Sequence, residues 1–210
     1  TSLRHVLTHT AGLHLPDGRT VELTPPDRRR QLLERQEVPV GWQLGRQAAY
    51  SEHLGWHVLG VALEAATGDD LRTHLRSAVL EPLGLDATTI GMTPEQLRDL
   101  APVLGVNLDL RALKPYPMLF ERTARVATEV TAGHGTVTTA RDLARLYRGV
   151  LAARRGHEVP GVPTSPLIVE MTTDARTRLD DAVLRRPCSM GLGFMTSLVD
   201  HEFSDVVSPA

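Results

Sequence analysis

The run from Tyr50 to Gly68 constrains this chain more than any other. Leu54, Val58, Leu59, Ala62 and Ala65 recur at the spacing of one helix face. Ser51 can accept hydrogen bonds from the free N–H groups at the start, and Gly68 can end the helix in a left-handed turn. The pattern predicts a helix over 51–67 with Tyr50 and Ser51 at its mouth. A phenol held still at a helix start is a group that a buried cleft can use as a proton shuttle. Little else in the chain looks like chemistry, so other candidates are judged by whether they can converge on Tyr50.

Further helices follow from caps and periodicity. Leu3, Val6 and Leu7 form one apolar face over 2–10, closed by Gly12. Pro25-Pro26 precedes a helix over 27–37 with Leu32 and Leu33 inward. Asp69 is expected to cap a helix running to about Leu80, which Pro82-Leu83-Gly84-Leu85 stops. Thr93-Pro94-Glu95-Gln96 combines a cap, a first-turn proline and a glutamine three residues past the cap. Residues 101–131 hold three prolines and weak periodicity, which predicts loops around short elements. Ala132-Gly133-His134-Gly135 predicts a turn with permissive backbone. Thr139 and Asp142 predict a capping box for a helix to about Ala153, with Leu143, Leu146, Tyr147, Val150 and Leu151 as its buried stripe. Ser165-Pro166 opens another helix to about Met171. Residues 191–199 read as a strand entered through glycines. A lone terminal strand needs a partner, so the sheet is either largely missing or supplied by another chain.

Composition narrows the function classes. The chain has 210 residues, enough for one sizeable core, and a formal net charge of -2, so nothing points to nucleic acid or an acidic membrane. No stretch of 18 apolar residues occurs, so no membrane span is expected. Thr1-Ser2-Leu3-Arg4 leads straight into a folded-looking pattern, which argues against a signal peptide. Cys188 is the only cysteine, so no internal disulfide forms and the compartment, cytoplasmic or secreted, stays open. Lys114 is the only lysine among 23 basic residues. His5 and His9, like His53 and His57, are four apart, but no acidic third ligand accompanies them; structural hydrogen bonding is the simpler reading, and no metal or cofactor is expected. Ser51 reads as a cap rather than a nucleophile.

With these segments placed, the chain resembles the penicillin-recognising serine hydrolases, in the branch of class C beta-lactamases, related esterases and D-amino-acid peptidases. Residues 3–13, LRHVLTHTAGL, resemble the segment that follows the family's nucleophile helix. Tyr50-Ser51-Glu52 stands at the family's Tyr-Ser-Asn or Tyr-Ala-Asn motif. Glu81-Pro82-Leu83-Gly84-Leu85, Ala132-Gly133-His134-Gly135 with Thr139-Ala140-Arg141-Asp142-Leu143, and Gly191-Leu192-Gly193-Phe194 match later landmarks in order and spacing.

The resemblance implies acyl transfer. A serine attacks a carbonyl, a lysine one helical turn later helps to activate it, and the tyrosine shares the proton traffic. It assigns Tyr50 as the catalytic tyrosine and Glu52 as a substrate-binding residue; His134, between two glycines of the expected tight turn and so exposed near the cleft, is the other substrate-binding candidate. A phenol with a reference pKa near 10 is a poor base unless a cation lowers it, so Tyr50 needs a lysine beside it. Yet no Ser-x-x-Lys occurs; Arg111 stands where Lys114 would need a serine. Glu52 also departs from the motif, since an ionised glutamate accepts hydrogen bonds but donates none. That weakens a beta-lactamase reading more than an esterase or peptidase reading.

The implied fold is mostly α. It is the helical lobe of the α/β serine beta-lactamase-like fold with most of the antiparallel sheet absent. Residues 1–210 would form a single domain truncated at both ends, with 51–155 as its main helical portion. The expected substrate is a small ester, amide or lactam, and the expected macromolecular partner is a complementary chain or a second copy. A non-catalytic binding or assembly protein built on the same fold is the alternative. The sequence leaves open whether it comes from a truncated product, a split gene or a reduced protein.

Overall fold

Helices form where the sequence places strong caps. The computed structural model describes residues 1–15, 20, 24–103, 108–109, 116–117 and 120–197. Helix α1 (Leu3–Leu7) starts at Ser2, whose hydroxyl accepts the His5 N–H while the His5 side chain reaches back to the Ser2 N–H. Helix α2 (Pro26–Glu34) begins at a proline, which has no N–H to leave unsatisfied there. Helix α3 (Leu54–Thr67) ends at Gly68, whose φ of 78° is the left-handed conformation that the sequence required of it. Leu33 of α2 and Leu54 of α3 meet in an apolar cluster with Leu13, Leu32 and Val58, so α2 and α3 share a core.

Helix α4 (Leu71–Leu75) is capped by Asp70 rather than Asp69: the Asp70 carboxylate accepts the Thr73 N–H at 3.1 Å. It widens into a π-helical turn, Arg76–Leu80, and closes through α5 (Glu81–Leu83), where Pro82 is accommodated in the first turn and Gly84 makes the stop. Helix α6 (Pro94–Leu100) carries the full capping box between Thr93 and Gln96. Helix α7 (Phe120–Thr128) lies inside 101–131, the stretch of weak periodicity. Helices α8 (Ala140–Arg154) and α9 (Ser165–Met171) pack on each other.

Sheet among the described residues is confined to three antiparallel pairs: β1 (Thr89–Ile90) with β4 (Thr136–Val137), β2 (Leu108–Asp109) with β3 (Tyr116–Pro117), and β5 (Arg176–Asp181) with β6 (Arg186–Met190). The β5–β6 hairpin escaped the sequence analysis because its inward positions on β5 are charged. Arg176 and Asp181 are 3% and 2% exposed. Their side chains meet at 3.1 Å through Arg176 Nη2 and Asp181 Oδ2. Arg176 also donates through Nε to the Cys188 carbonyl and through Nη1 to the Thr8 carbonyl, each at 3.1 Å. Asp181 Oδ1 accepts the N–H groups of Tyr50, Val183 and Leu184 at 2.9–3.0 Å. One buried ion pair thus joins the N-terminal segment, the Tyr50 turn and the hairpin.

Four local expectations need correction. Leu3 is exposed, because α1 is too short to carry a full apolar face, and only Val6 of that helix is buried. Thr139 caps α8, but the Asp142 carboxylate turns inward to accept the Ala87 N–H and the Thr88 hydroxyl, each at 2.9 Å. Leu143, Tyr147 and Leu151 stand exposed, since α8 buries the adjacent face of Asp142, Gly149 and Ala153. The glycine-led strand expected over 191–199 is instead a turn: the Gly191 N–H donates to the Phe194 carbonyl at 2.8 Å, and a single bridge joins Met190 to Met195. Leu198 and Val199 lie outside the described residues.

Removing one partner of a buried, fully bonded ion pair strands the other charge, at a cost of about 3–5 kcal/mol. Arg176→Met should lower stability by that order in urea denaturation. Arg30→Ala, which breaks the exposed Arg30–Glu34 pair, should leave the midpoint essentially unmoved. Equal effects would show that the buried pair does not organise the fold.

Candidate active site

Three consecutive backbone N–H groups fix the Tyr50 turn. Ala49 donates to the His9 carbonyl at 3.0 Å, Tyr50 to Asp181 Oδ1 at 2.9 Å, and Ser51 to His9 Nδ1 at 3.0 Å. The Ser51 hydroxyl donates to the Leu13 carbonyl and accepts the Gly55 N–H at 2.6 Å, so it caps α3 from outside the helix and is not free to attack a substrate. The Tyr50 ring lies on the His9 ring with centroids 4.6 Å apart, and Trp56 meets His9 edge-on at 5.8 Å.

Tyr50 is half-buried, and its phenol pKa is raised. Burial is the main cause and the Glu52 charge adds to it, while a hydrogen bond from the Trp56 side chain works the other way. Arg176, the cation buried beneath this turn, has its guanidinium committed to Asp181 and two carbonyls. The described residues therefore bring the phenol close to neutral neighbours and acids rather than to an available cation. Lys114, the sole lysine, lies outside the described residues.

Glu52 sits at the surface beside this turn, its side chain 63% exposed and 4.0 Å from His53 Nε2. His134 sits in the 131–135 turn. Its N–H donates to the Thr131 hydroxyl at 3.3 Å, its Nε2 pairs with Glu129 at 2.8 Å, and its ring meets His53 edge-on at 5.3 Å. The turn abuts α3 closely: a Cβ on Gly133 would come within 3.1 Å of the Glu52 carbonyl and the Trp56 side chain. Gly135, at φ 84°, supplies the left-handed step.

His134 lines a cavity of about 300 Å³ between α2, α3 and this turn, with Arg29, His53, Trp56, His57 and Glu129 among its walls. Tyr50 and Glu52 do not line it; Trp56 stands between the cavity and the phenol. The three sequence candidates thus occupy one neighbourhood, with Tyr50 and Glu52 on the turn and His134 behind Trp56. Glu129 also pairs with Arg29 at 2.6 Å. Burial pushes the Glu129 carboxyl up, but the hydrogen bonds and charges of His134 and Arg29 together outweigh it and hold the group at about 2. Among the described residues, no group of three or more His, Cys, Asp or Glu side chains is placed to hold a metal ion. Sequence reasoning missed Asp181, Arg29 and Glu129, because each acts through a partner distant in the chain.

The beta-lactamase family model matches residues 1–202. The chain is 27% identical to the esterase/beta-lactamase LipL of Mycobacterium tuberculosis, over 92% of this chain and 50% of LipL. Among solved structures, a penicillin-binding protein homologue from Caulobacter crescentus superposes with a TM-score of 0.64 at 22% identity, covering 93% of this chain and 54% of that one. A D-amino acid amidase from Ochrobactrum anthropi superposes with a TM-score of 0.61 at 18% identity, covering 93% and 53%. Both likenesses establish a beta-lactamase-like fold, and the chain spans about half the length of these relatives.

The Glu129 cluster has a definite pH signature. A carboxyl held below its ordinary value of 4.5 stabilises the fold fully above that value, and the contribution drains away as pH falls toward about 2. Glu129→Gln should flatten the acid dependence of stability in that window in denaturant titrations. An unchanged slope would mean that the pairing with His134 and Arg29 is absent in solution.

Proposed function

Because the chain belongs to the beta-lactamase family, we propose that it is the tyrosine-bearing segment of a serine hydrolase that cleaves an ester, amide or lactam through an acyl-serine intermediate. In this reading residues 1–210 belong to one domain, with 51–155 as its main helical portion, and the rest of the sheet lies outside them. The nucleophile Ser-x-x-Lys and the C-terminal triad likewise come from sequence beyond these residues. Tyr50 relays the proton between the serine and the leaving group. Glu52 and His134 contact the substrate's flank.

The observation that carries the reading is the seat of Tyr50. Its backbone is fixed at three successive N–H groups, and its ring is in tilted contact with His9, yet its phenol is only half-buried. A packing tyrosine has no need of such fixation, whereas a proton relay does, since transfer requires a held distance. The raised phenol pKa leaves the relay in need of a cation: a lysine ammonium within ~4–6 Å favours the phenolate and opposes the shift.

A second reading rests on α8. Leu143, Tyr147 and Leu151, spaced one turn apart, are 45–51% exposed and form an apolar stripe. In that reading the helical lobe is an assembly module, and the stripe receives a complementary chain or a second copy. The octameric penicillin-binding protein homologue of Pyrococcus abyssi superposes on this chain with a TM-score of 0.61.

In the natural protein, Tyr50→Phe should lower kcat toward an activated ester by ~10²–10⁴-fold with little change in KM, as expected for loss of a proton relay. Retained kcat would contradict the assignment of Tyr50. Leu143→Glu with Tyr147→Glu should dissociate an assembly built on α8, read by light scattering. A stable compact monomer before substitution, at high concentration, would contradict the assembly reading.

A further inference from the structure

His9 is buried, 5% exposed, and stands outside α1 with a φ of 54°. That left-handed conformation is uncommon for a residue with a Cβ and is tolerated best by Asn, Asp and His among such residues. Its placement gives it two separate holds on the Tyr50 turn. The backbone carbonyl accepts the Ala49 N–H, and Nδ1 accepts the Ser51 N–H; the two anchors bracket Tyr50. The imidazole also meets the Tyr50 ring at 4.6 Å with the planes tilted by 42°, and Trp56 meets the imidazole edge-on at 5.8 Å. Nothing in a simple packing role requires a nitrogen at that position, because a phenyl ring would fill the same volume. The nitrogen matters because Ser51 is itself buried, and an N–H left there without an acceptor is costly.

We propose that His9 is a positioning residue for Tyr50, acting as a neutral imidazole whose unprotonated Nδ1, backbone carbonyl and tilted ring contact hold the phenol in one pose. The inference rests on the reading of Tyr50 as the proton relay. An acceptor Nδ1 requires the proton on Nε2; an imidazolium would present an N–H to the Ser51 N–H and push the turn away. The surroundings keep the ring neutral. Burial lowers its pKa most and the nearby Arg176 charge adds to this, against the opposing charge of Asp181, leaving the group at about 4. Among the described residues, the charged and titratable groups facing it are those two from β5 and Tyr50 from the turn. Since the folded value lies below the ordinary 6.5, an unfolded chain takes up a proton that the folded one refuses. The His9 contribution therefore weakens as pH falls from 6.5 toward about 4.

The first test uses the natural protein without substitution. Nitrogen-15 spectra at pH 7 should show His9 with an unprotonated Nδ1 and a protonated Nε2; an Nδ1–H tautomer or an imidazolium would overturn the proposal. The second compares His9→Asn and His9→Phe with Tyr50→Phe. Asparagine tolerates the positive φ and offers an oxygen close to the Nδ1 position, whereas phenylalanine keeps a ring and removes the acceptor. His9→Phe should lower kcat by about 10-fold or more with KM held, and should speed exchange of the Ser51 amide. His9→Asn should keep the amide protected and recover most of the loss in kcat. Equal losses for the two, with equal Ser51 exchange, would overturn the positioning role. The Tyr50→Phe control separates the two claims: if it leaves kcat unchanged, the relay reading fails, while the tautomer and exchange results still judge what His9 does to the turn.

Discussion

The ion pair between Arg176 and Asp181 is the interaction on which the arrangement depends. Burying two charges costs several kcal/mol each, so such a pair persists only where geometry and further hydrogen bonds compensate. Here they do. Arg176 places three nitrogens on Asp181, Thr8 and Cys188, and Asp181 receives three backbone N–H groups besides. An apolar pair of equal volume could fill that space, but it could not hold Tyr50 by its N–H. The pair therefore specifies a particular placement of three segments more than it adds stability. Thr8, Tyr50 and Cys188 are far apart in the chain and come together around it.

From that junction the chemistry of the turn follows. With Asp181 below and His9 alongside, the backbone from Ala49 to Ser51 has little freedom, and Ser51 passes the order on to α3 through the Gly55 N–H. The phenol emerges half-buried from a rigid base. Burial and the acidic neighbour Glu52 raise its pKa, so the turn supplies position but not basicity. A relay needs both, and the second must come from a cation brought against the phenol. The division suits a family in which a tyrosine and a lysine lie on different segments of the fold.

Much of the helical framework was legible because caps are local. Thr93, Gly68 and Gly84 act within four residues of themselves, and each does so as the residue type requires. The failures were non-local. The α8 stripe has helical periodicity, but periodicity says only that a face is apolar; Asp142 finds Ala87 and Thr88 across the fold and turns a neighbouring face inward. The β5–β6 hairpin was invisible because its buried positions are an arginine and an aspartate, which alternation rules count as solvent-facing. Within the candidate site, Tyr50 was singled out from its position ahead of α3. Its support, His9 and Asp181, required knowing which distant residues meet. His134 was correctly placed in a glycine turn, but its pairing with Glu129 and its position behind Trp56 are properties of the tertiary fold.

In the proposed function, this chain supplies the fixed tyrosine of an acyl-serine hydrolase. The most direct measurement is to treat the natural protein with a fluorophosphonate serine probe and locate the label by intact mass and peptide mapping. Covalent labelling is expected at the serine of a Ser-x-x-Lys sequence outside residues 1–210, on the same polypeptide or a tightly bound one. No labelled serine, or a label on a serine within these residues such as Ser51, would contradict it.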